Sequence, residues 1–337
     1  VTRTAEVFPP ARLLLVHPEP PLVRKALRAG LDVRVLLDEA RRAEDYPLPE
    51  DRVTRVCGGP ETEEVVRRLV GEDRVTHVLD GEGRSLPEPL PGVGAAADEL
   101  FRRELFPNWR KAVGDRTFAT VDEVRKVVGD LGWRAVIHTD LGEVVVWSED
   151  DVDGWVRLHG GRSGPFAVER LASDVEVVVS TLTVDGMHRV VGITERLPKA
   201  GVLSYAYPAS LAELRTVQVR ATVTSMLDLV GHEFGPALTR VAMTGPEPRV
   251  LRSRACFSVD RISDLIEVAT GFDVQTELFR ALAGALVQAP RPRWFAAALV
   301  FRLPGSPVDG PGSCVLAEGV SPEVALARLD EERVLPE

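Results

Sequence analysis

The sequence predicts an α/β protein of more than one lobe, with a doubly wound lobe first, a small α+β lobe second and a larger α+β lobe last. Three observations carry that prediction. Ala11 to Leu37 alternates a short apolar run, a proline-containing loop, a helical pattern closed by Gly30 and a second β-branched run, which is the pattern of a βαβ unit. Thr120 to Leu158 reads helix, strand, tight turn, strand, helix. From Phe166 onward, β-branched runs dominate and one long helical stretch interrupts them.

Taken in order, the first lobe continues with TEEVVRRLVGE as a helix and RVTHVLDGEG as a buried strand that ends in turn residues. The lobe is placed in residues 1–100, with its doubly wound part ending near Gly94. HPEPP fills the first strand-to-helix connection, so the glycine-rich turn of a dinucleotide site is missing. A helix from Ala95 to Arg103 leads out of this lobe. The small lobe is placed in residues 101–160; Thr120 or Asp122 caps its first helix, and DLGE is short enough for a hairpin turn. The third lobe, residues 161–337, begins near Pro165 with strands in FAVERL, VEVVVSTLTVDG and HRVVGITERL, followed by a helix through LAELRTVQVRATVTSMLDLVG. The proline- and glycine-rich LPEPLPGVG and LPGSPVDGPGS read as surface connections.

Composition narrows the function. With 41 Lys+Arg against 51 Asp+Glu the net charge is -10, so no global field draws the chain to nucleic acid or to an anionic membrane. Three scattered cysteines, Cys57, Cys256 and Cys314, fit neither a disulfide framework nor a zinc site. A reducing cytoplasm is the expected setting. The start VTRTAEVFPP lacks the apolar core of a signal peptide, and no run approaches the roughly 20 apolar residues that span a bilayer.

FAVERLASDVEVVVSTLTVDGMHRVVGITER, SYAYPASL, GPALTRVAMTGPEPRVL and DRISDLIEVATGFD follow one another in an order and spacing that resembles the ATP-grasp superfamily, specifically its carboxylate-amine ligase branch. The resemblance implies a three-lobed fold with a nucleotide, ATP or ADP, between two antiparallel sheets. It assigns adenine recognition to the backbone of Glu169, Arg170 and Leu171 and the ribose hydroxyls to Glu176; the competing reading has Glu169 and Glu176 facing water at strand ends. The family's phosphate-binding lysine aligns with His138, and the phosphate loop shrinks to Asp140, Leu141, Gly142 and Glu143. Lys111 either replaces a second family lysine or faces solvent.

The metal positions depart furthest from the family. Leu238 and Arg240 stand where a histidine and a metal-binding glutamate are common, Arg252 at the second such glutamate, Arg254 at an asparagine and Cys256 at an arginine. Guanidinium groups only donate hydrogen bonds, whereas magnesium needs oxygen ligands, so magnesium is not expected there. An anion clamp of Arg240, Arg252 and Arg254 follows by charge; the alternative pairs these arginines with acids such as Asp260 and Glu247 or leaves them in solvent. Cys256, among cations, is either a catalytic thiolate or a packing residue. His138 is either an acid or base near neutrality or a strand histidine bonded to a carbonyl.

Three functions stay open. The first is a metal-independent protein of small-molecule biosynthesis that holds an anionic metabolite or nucleotide. The second is an inactive scaffold partnering an active homologue. The third is a ligase with relocated metal ligands, for which Glu233 or Asp260 would serve. The expected partners are a small anionic metabolite and either a second copy of the chain or that homologue.

Overall fold

The computed structural model describes residues 11–57, 60–80, 117–133, 135–139, 142–146, 148–170, 175–199, 202–244, 247–257, 261–301 and 313–332. Among these residues the strands form three sheets. The Ala95–Arg103 helix, Lys111, Leu171, Asp140, Leu141, Asp260 and nearly all of the two proline- and glycine-rich connections lie outside the described residues.

The first lobe contains β1 (Arg12–Val16), α1 (Pro20–Arg28), β2 (Asp32–Asp38), β3 (Val53–Val56), α2 (Pro60–Glu72) and β4 (His77–Asp80). Its strands are parallel in the order β3-β2-β1-β4. Strand side chains alternate between faces, and the apolar residues of β1 and β2 serve both. Leu13, Leu15, Val33 and Val35 pack with Leu22, Val23 and Ala26 of α1; Leu14, Val16 and Leu36 pack with Val65, Val66 and Leu69 of α2. One helix on each face is the doubly wound arrangement read from the sequence. Prolines open α1, where a missing N–H costs nothing, and Gly30 just beyond it adopts φ +81°.

The small lobe contains β5 (Thr117–Phe118), α3 (Val121–Asp130), β6 (Ala135–Thr139), β7 (Gly142–Val146), α4 (Glu149–His159) and β8 (Phe166–Arg170). They build an antiparallel sheet in the order β5-β8-β6-β7. Of the two residues offered as the cap of α3, Thr120 serves: its hydroxyl accepts from the Glu123 N–H while the Glu123 carboxylate accepts from the Thr120 N–H. Thr139 pairs with Gly142 and His138 with Glu143, so β6 and β7 form an antiparallel pair and the last two residues of the DLGE tetrad already belong to β7. The strand in FAVERL, expected in the large lobe, belongs here. It bonds to β5 and β6 and sends Phe166 and Val168 into a core with Val124, Ile137 and Trp155.

The third lobe contains β9 (Glu176–Val184), β10 (Met187–Lys199), β11 (Val202–Tyr207), α5 (Glu213–Leu229), β12 (Gly235–Thr244), β13 (Glu247–Arg254), α6 (Ile262–Thr270), α7 (Val274–Leu282), β14 (Phe295–Phe301), β15 (Ser313–Gly319) and α8 (Pro322–Glu332). The antiparallel sheet runs β13-β12-β9-β10-β11-β14-β15. One face buries Val177, Val179, Ala237 and Val241 under Val219, Val223 and Leu227 of α5. The other carries Val178, Leu182 and Leu238 into a core shared with α6, α7 and the first lobe. The site described next lies at the end of that second face. No helix among the described residues is long and apolar enough to cross a membrane.

Candidate functional site

Register places the site. On the β12–β13 pair, Arg240 stands opposite Arg252, Leu238 opposite Arg254 and Ala242 opposite Arg249. Residues facing one another across a strand pair share a sheet face, as do residues two apart along a strand. Arg240, Arg252 and Arg254 therefore emerge on the same side. On the neighbouring strand, Glu176 of β9 stands opposite Ala242 of β12 and also opposite Arg196 of β10.

Two bulges make this arrangement. Between β9 and β10 the register shifts at Val191. Counting back from the Asp185–Gly186 turn without that extra residue would set Glu176 against Glu195; the bulge brings Arg196 there instead. Between β12 and β13 the shift leaves Leu251 as the extra residue, and its side chain meets Ala242 and Val136 of β6. A bulge re-aims a side chain without ending the strand, and here it fastens the small lobe onto the arginine-bearing edge of the large sheet.

Glu176 is the ionic centre. It is only 1% exposed, and both carboxylate oxygens accept from arginine: Oε1 from Arg240 Nε at 2.6 Å and Oε2 from Arg196 Nη1 at 3.0 Å. Burial pushes this carboxyl up, but the two guanidinium groups outweigh it and hold the carboxyl below the usual carboxylate range. His138 lies on β6 two residues beyond Val136 and is fully buried. Burial, and after it the Arg249 guanidinium, lower its pKa to about 2.

No protein-family model matches the chain, and no curated protein does. Its backbone is similar to the crystal structure of an L-amino acid ligase from Bacillus licheniformis, with a TM-score of 0.65, 17% identity and coverage of 96% of this chain and 97% of that one. The N5-carboxyaminoimidazole ribonucleotide synthetase of Thermus thermophilus is similar at a TM-score of 0.60 and 16% identity over 97% of this chain and 99% of that one. The N5-carboxyaminoimidazole synthetase of Staphylococcus aureus, solved with ADP, is similar at 0.60 and 12% identity over 96% of each chain. The chain has the ATP-grasp fold. At these identities the likeness is one of backbone plan, and the site must be judged on its own side chains.

Judged so, the side chains at the positions that the resemblance assigns to magnesium do not suit that ion. The positions assigned to magnesium hold Arg240, Arg252 and Arg254, which have donors and permanent positive charge but no acceptor oxygen. Among the described residues, no three His, Cys, Asp or Glu side chains converge as a metal would need. Glu176 does not face water, as the competing expectation had it: it is buried, and two arginines hold its carboxylate. His138 does not titrate near neutrality, because burial removes the water that would solvate an imidazolium and the Arg249 guanidinium repels it. Arg240 finds its acid in Glu176 and not in Glu247, which is exposed at the far end of β13.

The other anticipated residues lie nearby. Glu169 pairs through its backbone with Val136, and Arg170 ends β8 exposed. Cys256 is half-buried against the main core, its N–H bonded to the Arg254 carbonyl at 3.2 Å. Two residues of the site were missed by the sequence reading, Arg196 and Arg249. The signal for Arg196 was Gly192, since a glycine inside a strand pattern marks a bulge. Arg249 carried the weaker signal of its place in the same arginine-rich strand.

Proposed function

We propose that this ATP-grasp chain is a non-canonical member of its fold, working in small-molecule metabolism, that binds an anionic substrate or nucleotide through Arg240, Arg252 and Arg254 without magnesium at the fold's customary positions. The observation that supports it is the cross-strand pairing of Arg240 with Arg252, with Arg254 next on the same face. Guanidinium forks suit phosphate and carboxylate oxygens in bidentate fashion. Glu176 fixes the direction of Arg240, and the arginines of β13 supply the further donors. His138, neutral and buried, transfers no proton in this scheme. The test is calorimetric titration with ATP and ADP, each with magnesium and with excess chelator, on the wild type and on an Arg252→Ala/Arg254→Ala variant. Binding that persists in chelator and is lost in the folded variant supports the proposal. Binding that requires magnesium restores a ligase with relocated metal ligands.

A second reading, an inactive scaffold that partners an active homologue, draws support from the contact of Val136 with Ala242 and Leu251, which closes the small lobe onto the large sheet. Capture of an ATP-grasp enzyme of the same cell by the purified chain would favour it. Turnover of a metabolite by the isolated chain would count against it.

A further inference from the structure

A nucleotide-using cleft of this fold reads two parts of its ligand, sugar and phosphate, and the side chains here treat them differently. The carboxylate assigned to the sugar accepts from Arg240 and Arg196 at 2.6 and 3.0 Å and is 1% exposed. A carboxylate has lone pairs beyond two, but a ribose could reach them only by displacing the packing that buries it. Arg240 and Arg196 in turn already hold a carboxylate, the group for which their forks are suited. Glu176 thus stands to these two arginines as a bound anion would.

We propose that Glu176 is an internal counter-ion that occupies Arg196 and the Nε of Arg240 as a ligand's own carboxylate or phosphate would, so that the cleft binds a nucleotide by its phosphates at Arg252 and Arg254, with Arg240 held beside them, and leaves the ribose hydroxyls unread. This inference rests on the anion-binding function proposed above. It assigns the cleft a ligand class defined by its anionic end: polyphosphates or polycarboxylates, with or without a sugar.

The experiment is titration calorimetry of the full chain in chelator with ATP, 2′,3′-dideoxy-ATP and inorganic tripolyphosphate. ATP and dideoxy-ATP should bind within about threefold of one another. A dideoxy ligand weaker by about tenfold or more, the usual consequence of leaving charge-assisted partners unpaired, overturns the inference while the anion reading stands. Failure of all three ligands to bind overturns the anion reading and this inference with it. Glu176→Gln adds a second test. If it folds, tripolyphosphate should bind about tenfold tighter with a steeper salt dependence, since two guanidinium groups lose their internal anion. Unchanged or weaker binding by the folded variant refutes the counter-ion role. If the variant does not fold, the wild-type comparison of ATP with dideoxy-ATP decides alone.

Discussion

Glu176→Gln is also the sharpest probe of the fold, because it keeps the shape of the side chain and removes only its charge. Arg240 and Arg196 contact Glu176 at 2.6 and 3.0 Å, and opposite unit charges about 4 Å apart are worth about 4 kcal/mol at an effective dielectric near 20. Desolvation and the mutual repulsion of Arg196 and Arg240 offset much of the total. Breaking a buried ion pair by removing one partner costs about 3–5 kcal/mol, and at 1% exposure Glu176 escapes the solvent screening that weakens surface pairs. For a lobe of this size that corresponds to a fall of roughly 6 to 20 °C in melting temperature. Thermal denaturation at pH 7, followed by circular dichroism, measures it. The pH dependence gives an independent sign. The native carboxyl titrates below its ordinary value, so its contribution is fully present above about pH 4.3 and is lost as pH falls through the depressed native value. The gap between wild type and variant should be constant above about pH 5 and narrow below it. A midpoint within about 2 °C of wild type at pH 7 would mean that the two arginines do not share this carboxylate in solution.

Further outcomes follow from packing and protonation. In Gly192→Ala the new Cβ would stand 2.5 Å from Ile266 Cδ1 and 3.2 Å from Tyr207 Cε2; urea denaturation should show a loss of about 1–3 kcal/mol, and less in an Ile266→Val background that lacks that methyl group. Gly319→Ala should cost more, above about 2 kcal/mol by the same measurement, because its Cβ would stand 2.6 Å from the Ala325 backbone nitrogen, which cannot rotate aside as a side chain can. His138 should show no imidazole titration between pH 8 and 5 by NMR, given its native pKa of about 2. Its unfolded form takes up a proton below about pH 6.5 that the native form refuses, so His138 lowers stability progressively as pH falls from there, and a His138→Phe variant should lose stability less steeply over that range. Thr120→Ala should remove the capping box of α3 and cost about 1 kcal/mol.

The elements were legible where periodicity decides them. Leu13 to Val16 and Val33 to Leu37 read as strands because a helical pattern closed by Gly30 lies between them in a βαβ order, and the helix of the small lobe was legible with Thr120 or Asp122 as its cap. What could not be read was partnership. FAVERL is a strand under any pattern, but its hydrogen bonds to β5 and β6 depend on where the chain crosses between lobes after Arg170. FAAALVF, now β14, offers a short apolar run without alternation, which periodicity alone cannot assign to helix or strand. The site was legible in charge and not in register. Arg240, Arg252 and Arg254 stood out as cations at metal positions, whereas the pairing of Glu176 with Arg196 in place of Glu195 turns on one extra residue at Val191. The contact of Val136, two residues before His138, with Leu251 and Ala242 is likewise one that no local pattern contains.

The same two bulges show how this backbone plan accommodates an arginine-bearing sheet face. A metal-dependent site holds its anion at second hand: side-chain oxygens bind a cation, and the cation binds the ligand. In the function proposed here, arginines on the same strands hold an anion directly, which reverses the sign of charge the sheet must tolerate. Like charges placed opposite one another across strands repel, so Arg240 facing Arg252 calls for negative charge close by. Glu176 supplies one such charge from the adjacent strand, within reach of Arg240 and Arg196 together. Among Arg196, Arg240, Arg252, Arg254 and Glu176 positive charge still exceeds negative by three. The backbone plan is carried by Val177, Val179 and Val241 on the opposite face, under α5, where these exchanges of charge are not felt. An alternating strand separates the two duties residue by residue, and a cleft on one face can change its ligand while the other face goes on holding the sheet to its helix.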